Sequence, residues 1–265
     1  MKKIIALLLV MTMVLSFAAC AKTEAPATEA ATEAATEAAT EAVVETAPAA
    51  AEEGILDGGA DIAVDAVLTH EEFMAAELES VVCVETYVQG HQSWWDNKIT
   101  VYCQSEDGAY FLYELQCSEE DAAKLVPGTK IQVTGTKGEW SGEIEIMDGT
   151  FEFVKGDSYI AEAFDATSLL GTDKLIDHQN EKVLFKGLTV EKVEYQNGAP
   201  GKDIYVTVGL NGKSYDFCVE SYLTAPDSDV YKAVGELKAG DVVDIEGFLY
   251  WYEGANPHIT KVTKN

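Results

Sequence analysis

Ile99, Val101 and Cys103 alternate with Thr100 and Tyr102 across Lys98–Gln104, the period-two pattern of a strand with one buried face. Similar runs predict strands over Val81–Gln89 and Ala109–Leu115, with Glu106-Asp107-Gly108 turning the chain between the second and third. Two short helices frame them. Thr69, with Glu72 three residues on, has the form of a capping box and predicts a helix over Thr69–Glu79. Ser118-Glu119-Glu120-Asp121 opens another, with acidic residues where the helix dipole favours them, and Pro127-Gly128 ends it. Strands then come over Lys130–Thr134 and Glu143–Met147, the latter leading into Phe151–Val154.

The pattern returns. Gly128, Gly135, Trp140 and Gly142 have counterparts at Gly240, Gly247, Tyr252 and Gly254, each 112 residues later, which predicts one small β-domain used twice. In the second copy a helix over Asp165–Asp177 precedes a strand over Lys182–Glu194. A turn, Gln196–Gly201, separates this strand from a hairpin, Asp203–Leu210 and Lys213–Glu220, closed by Asn211-Gly212. A short helix over Ser228–Leu237 leads into closing strands through Val262. Three strands, a helix and two strands is the order of the five-stranded Greek-key OB barrel. The expected fold is therefore mostly β: two tandem OB-fold-like barrels, residues 54–156 and 157–265. Gly135 and Gly247 then serve as bends in tightly coiled strands.

The segment before the barrels reads as an address. Lys2-Lys3, the apolar run Ile4–Ala19 and Phe17-Ala18-Ala19-Cys20 have the form of a signal peptide over residues 1–19. The run is shorter than the roughly 20 residues that span a bilayer. The Ala-Ala-Cys ending resembles the lipobox of bacterial lipoproteins, with Phe17 where that family usually carries Leu. The resemblance implies a lipid (palmitate-type) anchor at Cys20, and two acyl chains hold where one does not. Residues 20–53 are a low-complexity linker in which Ala-Thr-Glu-Ala recurs four times, a composition that cannot build a core. With the paired barrels, the chain resembles OB-fold-containing lipoproteins of Gram-positive anaerobes. That resemblance implies fold and an extracytoplasmic, membrane-anchored location, and it carries no catalytic residues.

The net charge of −28 extends well beyond the linker, which holds eight Glu and one Lys. Such a field repels phosphate backbones, so no nucleic-acid partner is expected. Trp94 and Trp95 fall in the loop after the first strand, Trp140 in the loop between the fourth and fifth, and Trp251 and Tyr252 at the equivalent place in the second copy. Tyr102, Tyr110 and Tyr113 are placed to line the face between. OB barrels bind there, and aromatic platforms stack on rings and apolar groups, so the expected ligand is a saccharide or a peptide. The same rings would serve equally to cover barrel ends or to join the two copies.

No catalytic constellation, phosphate loop or metal-ligand spacing occurs, and the four His lie far apart. The expectation is a non-enzymatic binding module without cofactor or metal. The alternative is a structural component of the cell envelope docking onto another protein. Cys83 and Cys103 would face one another if the first hairpin turned at Ser93. Buried thiols are the preferred reading of Cys83, Cys103, Cys117 and Cys218.

Overall fold

A computed structural model describes residues 66–265. The signal peptide, Cys20 and the linker through residue 53 lie outside the described residues, as does the start of the first expected domain.

The first barrel is built from β1 (Val81–His91), β2 (Lys98–Gln104), β3 (Ala109–Gln116), β4 (Lys130–Trp140) and β5 (Glu143–Phe153), with α1 (His70–Ala75) before β1 and α2 (Glu119–Ala122) between β3 and β4. It closes in the order β1-β2-β3-β5-β4, and β3 runs parallel to β5. After a two-residue β6 (Phe164–Asp165), the second copy uses β7 (Lys182–Tyr195), β8 (Ile204–Leu210), β9 (Lys213–Val219), α3 (Asp229–Gly235), β10 (Val242–Phe248) and β11 (His258–Lys264). Its order is β7-β8-β9-β11-β10, closed by pairing of β10 with β7 and with β6 added on β7. Both copies are OB-type barrels, as the strand order predicted.

The duplication extends to single backbone bonds. Gly128 and Gly240 enter β4 and β10 with φ of 90° and 93°, a region open to glycine at no steric cost. Each donates its N–H at 2.8 Å to the carbonyl of a Val in the first strand of its own barrel, Val88 and Val190. At Gly135 and Gly247 the pairing register of β4 with β5, and of β10 with β11, shifts by a bulge. A Cβ on Gly135 would lie 2.8 Å from the Met147 carbonyl oxygen, and one on Gly247 would overlap the carbonyl of His258. Neither position admits a side chain, because the neighbouring strand crosses too close.

Several elements differ from expectation. α1 stops at Ala75, short of Glu79, because the Lys137 ammonium from β4 donates at 2.8 Å to the carbonyls of both Met74 and Ala76 and so closes the helix end. The Thr69–Glu72 capping box is formed. The expected helix over Asp165–Asp177 is two short 3-10 turns, Thr167–Leu169 and Leu175–His178. Gly171, between them, has a φ of 79°, which no continuous helix accommodates. β4 and β5 run longer than the sequence pattern suggested, because the bulge at Gly135 lets pairing continue to Trp140. Cys83 sits opposite Thr134 of β4, whereas Cys103 sits opposite Val88, so they do not face one another. All four cysteines of the barrels are free buried thiols.

Each barrel holds its own core. Val84, Val101, Leu112, Leu125 and Ile131 centre the first, and Phe185, Val206, Phe217, Val234 and Ile245 the second. A smaller cluster of Tyr102 and Phe111 from the first barrel with Phe248 from the second joins them. Gly247→Ala is expected to cost about 1–3 kcal/mol, the usual penalty of forcing atoms into a filled space. Gly254→Ala, whose Cβ meets nothing within 4 Å, should stay within about 0.5 kcal/mol of wild type. Urea unfolding of the two variants reads the difference.

Candidate functional site

An OB barrel offers the outer face of its second and third strands to ligands. In the first barrel most of that face is occupied. Tyr102, on the outer side of β2, is 1% exposed. Its ring stacks on Phe248 at 4.6 Å, and its hydroxyl pairs with His258 Nδ1 at 2.6 Å. Phe111, on β3, meets Tyr250 edge-on at 5.2 Å. Burial holds the His258 imidazole neutral against the opposing charge of Asp203, its pKa pushed down to about 4. At one end of β2, Gln104 Oε1 accepts the N–H of Lys182 at 2.9 Å. Strands β2 and β3 are thus covered by the second barrel from Tyr102 to Gln104.

The opposite end of the face stays open. There a cleft of about 370 Å³ lies between the β1–β2 loop of the first barrel and the loop after β9 of the second. Trp95 forms one wall and is 79% exposed; Tyr222, from the second barrel, is 61% exposed. Trp95 is held by a two-residue hairpin, exchanging backbone bonds of 3.0 and 2.9 Å with Lys98. Asp96 and Asn97 at its tip have φ of 47° and 61°, the positive pair that a tight hairpin turn requires. Ser93 N–H donates at 2.8 Å to the Tyr222 carbonyl, which fixes the loops of the two barrels to one another. Lys98 and Glu114 form an ion pair of 2.7 Å on the cleft wall. Glu114 itself has a φ of 49° and donates its N–H to Thr100 Oγ1 at 3.2 Å. This is an unusual backbone for a non-glycine residue, and it lies beside the register shift between Ile99 and Val101.

The aromatic residues singled out in the sequence thus divide. Trp94 and Trp95 share the cleft, but Trp94 turns inward and donates its indole N–H at 2.8 Å to the Cys117 carbonyl. Tyr110 is buried with Phe73, the rings 5.2 Å apart, so it lines no surface. Tyr102 is buried in the seam between the barrels. Tyr113 is partly exposed on β3. Trp140 and Tyr252 are exposed at the tips of corresponding turns, and Ser141 and Glu253 between them share a positive φ of 52° and 54°. Those turns meet: Glu253 N–H donates at 2.8 Å to the Ser141 carbonyl. Trp251 packs against Gly142, where a Cβ would come within 2.8 Å of the indole. The loops joining the fourth and fifth strands therefore make the seam, and they do not flank a groove. Tyr222, Lys98 and Glu114 escaped the sequence reading, since nothing local marks a tyrosine in the loop after β9 as the neighbour of Trp95. Among the described residues, no group of three or more His, Cys, Asp or Glu side chains is placed to hold a metal, and no helix is long and apolar enough to cross a membrane.

No protein-family model matches the chain, and no curated relative matches it. Solved structures do. A murine DNA-binding protein bound to double-stranded DNA is 11% identical, with a TM-score of 0.35 over 69% of this chain and 96% of that one. The HINb domain of p204 is 13% identical, with a TM-score of 0.32 over 68% and 95%. A replication protein A heterotrimer bound to single-stranded DNA is 10% identical, with a TM-score of 0.30 over 70% and 49%. These findings correct two expectations. Proteins described as bound to DNA stand among the matches, so a saccharide or peptide ligand and the exclusion of nucleic acid are both withdrawn. At such scores the likenesses assign no ligand to this chain. The OB order of the two barrels rests on their own strand pairing.

The two adjacent tryptophans should respond differently to truncation. Trp94→Ala removes a packed ring and leaves the Cys117 carbonyl without its partner, at a cost of about 3 kcal/mol. Trp95→Ala should change stability by less than about 0.5 kcal/mol. Thermal or urea unfolding of each variant distinguishes a structural ring from a free one.

Proposed function

We propose that this chain is a non-enzymatic binding protein whose inter-barrel cleft stacks a nucleobase, presented by single-stranded nucleic acid or by a free nucleoside. The observation that carries the reading is Trp95. It is a ring carried on a hydrogen-bonded hairpin, 79% exposed, facing a cleft shared with Tyr222, and a large aromatic surface left bare is suited to stacking. The cleft also lies at the open end of the strand face through which OB barrels engage ligands. Charge bounds how the ligand is held. The net charge is −28 and all eighteen cationic side chains are lysines. Among the described residues lining the cleft, Lys98 is the one cation, and it is already paired with Glu114. Phosphate contacts therefore add little, and affinity comes from the base.

We further propose that the protein works outside the cell, held to the membrane by a lipid on Cys20. Lys2-Lys3, the apolar run and Ala18-Ala19-Cys20 support this reading. The mass of the mature N-terminus tests it. A diacylglyceryl-modified Cys20 is the expected start, and an unmodified start at any other residue overturns it.

Binding is read by quenching of tryptophan fluorescence with thymidine and with a short oligothymidylate. Stacking on one ring is worth about 1–3 kcal/mol per base, so Trp95→Ala should weaken binding by about fivefold to 150-fold. The oligonucleotide should show little salt dependence. Quenching that Trp95→Ala leaves unchanged, or none with any nucleobase, would refute the assignment of the cleft. A steep fall in affinity with added salt would show instead that phosphates are being read.

A further inference from the structure

Gln92 directly follows β1 and lines the cleft together with Trp95. Its backbone is pinned. The N–H donates to the Thr100 carbonyl at 2.8 Å, and the carbonyl accepts from His91 Nδ1 at 2.7 Å. The side chain is partly buried, and Nε2 donates to the Tyr102 hydroxyl across a long 3.4 Å. That hydroxyl oxygen lies 2.6 Å from His258 Nδ1. These polar groups form one row, running from the cleft into the seam between the barrels.

The distances fix where the protons of that row sit. N–H donors stand about 2.7–3.2 Å from an oxygen, and O–H donors come closer. A separation of 2.6 Å therefore marks the Tyr102 hydroxyl as the donor and His258 Nδ1 as a bare acceptor. The phenol has then spent its single proton and can only accept from its other side. The end of the Gln92 amide that faces it must be the donor nitrogen, since the amide oxygen there would set two acceptors together. This is the one side-chain hydrogen bond of Gln92 among the described residues. Its Oε1 and its second Nε2–H are left over.

We propose that Gln92 is the specificity-determining residue of the cleft: its Oε1 and remaining Nε2–H meet the edge of a nucleobase stacked on Trp95, and select an edge that sets an N–H donor beside an acceptor. This rests on the cleft assignment made above. A side-chain amide matches such an edge with two bonds, and thymine offers one as N3–H beside O4. The pairing is neutral on both sides, which suits a cleft whose lysine, Lys98, is already held by Glu114. Tyr102, 1% exposed, touches no ligand and acts through Gln92 as a positioning residue.

The test compares thymidine with N3-methylthymidine by quenching of tryptophan fluorescence in the full chain. Both bases offer the same face to Trp95, but the methyl group removes the N–H. In the wild type this should weaken binding by about twofold to tenfold, the effect of one lost hydrogen bond. In Gln92→Met, which keeps the side chain's length and removes its amide, the two ligands should bind alike. Equal binding by the wild type, with quenching still lost in Trp95→Ala, overturns the role of Gln92 and leaves the stacking site standing. A preference that survives in Gln92→Met does the same. No quenching by either ligand overturns both. Nitrogen NMR of the ligand-free protein tests the proton row by itself: His258 should carry its proton on Nε2, with Nδ1 bare. A proton on Nδ1 reverses the row, turns the Gln92 amide about and overturns the proposal, whatever the ligands do.

Discussion

The fold is organised by one burial: the ring of Tyr102 laid flat on Phe248, with its hydroxyl on the buried, neutral imidazole of His258. This contact takes the outer face of β2, normally the ligand face of such a barrel, and makes it an interior. The cleft depends on that occupancy. With the middle of the strand face sealed, the end beside the β1–β2 loop is left open, and the second barrel supplies Tyr222 to its far wall. The cleft belongs to neither barrel alone. It exists because a second copy of the fold was laid across the first.

The duplication explains why the seam is so well specified. Corresponding turns, Ser141 and Glu253, share a left-handed backbone and bond to each other. Residues with no place in either barrel core, Gln179, Asn180 and Glu143, bond the backbone of the strand ends and loops that face them. A polar seam of this kind fixes register more than it adds stability, since every buried group must find its partner. The aromatic cluster of Tyr102, Phe111 and Phe248 supplies the hydrophobic part.

The sequence showed the barrels more plainly than the site. Period-two alternation, paired glycines and the Asn211-Gly212 turn are local signals. They arise from backbone sterics, so the strand order and both bulge glycines were legible. The Asp165–Asp177 segment forms two short 3-10 turns and not one helix, because helical propensity there yields to Gly171 and to packing of Leu170 and Leu175 on the barrel. The aromatic residues were legible as important but not as to role. Tyr102 and Trp95 look alike in a sequence, and only the second barrel, docking 146 residues downstream at Phe248, decides which is buried. Tyr222 and Asn180 carry no local mark at all, since their partners are set by how two barrels meet.

The seal over β2 is read most directly by proton NMR of the described barrels within the full chain. Nuclear Overhauser contacts between the ring protons of Tyr102 and Phe248 are expected to be strong, given centroids 4.6 Å apart, and the Tyr102 hydroxyl should be protected from exchange. If those contacts are missing while each barrel's internal contacts persist, the two barrels do not pack as described. The cleft between Trp95 and Tyr222 would then not exist.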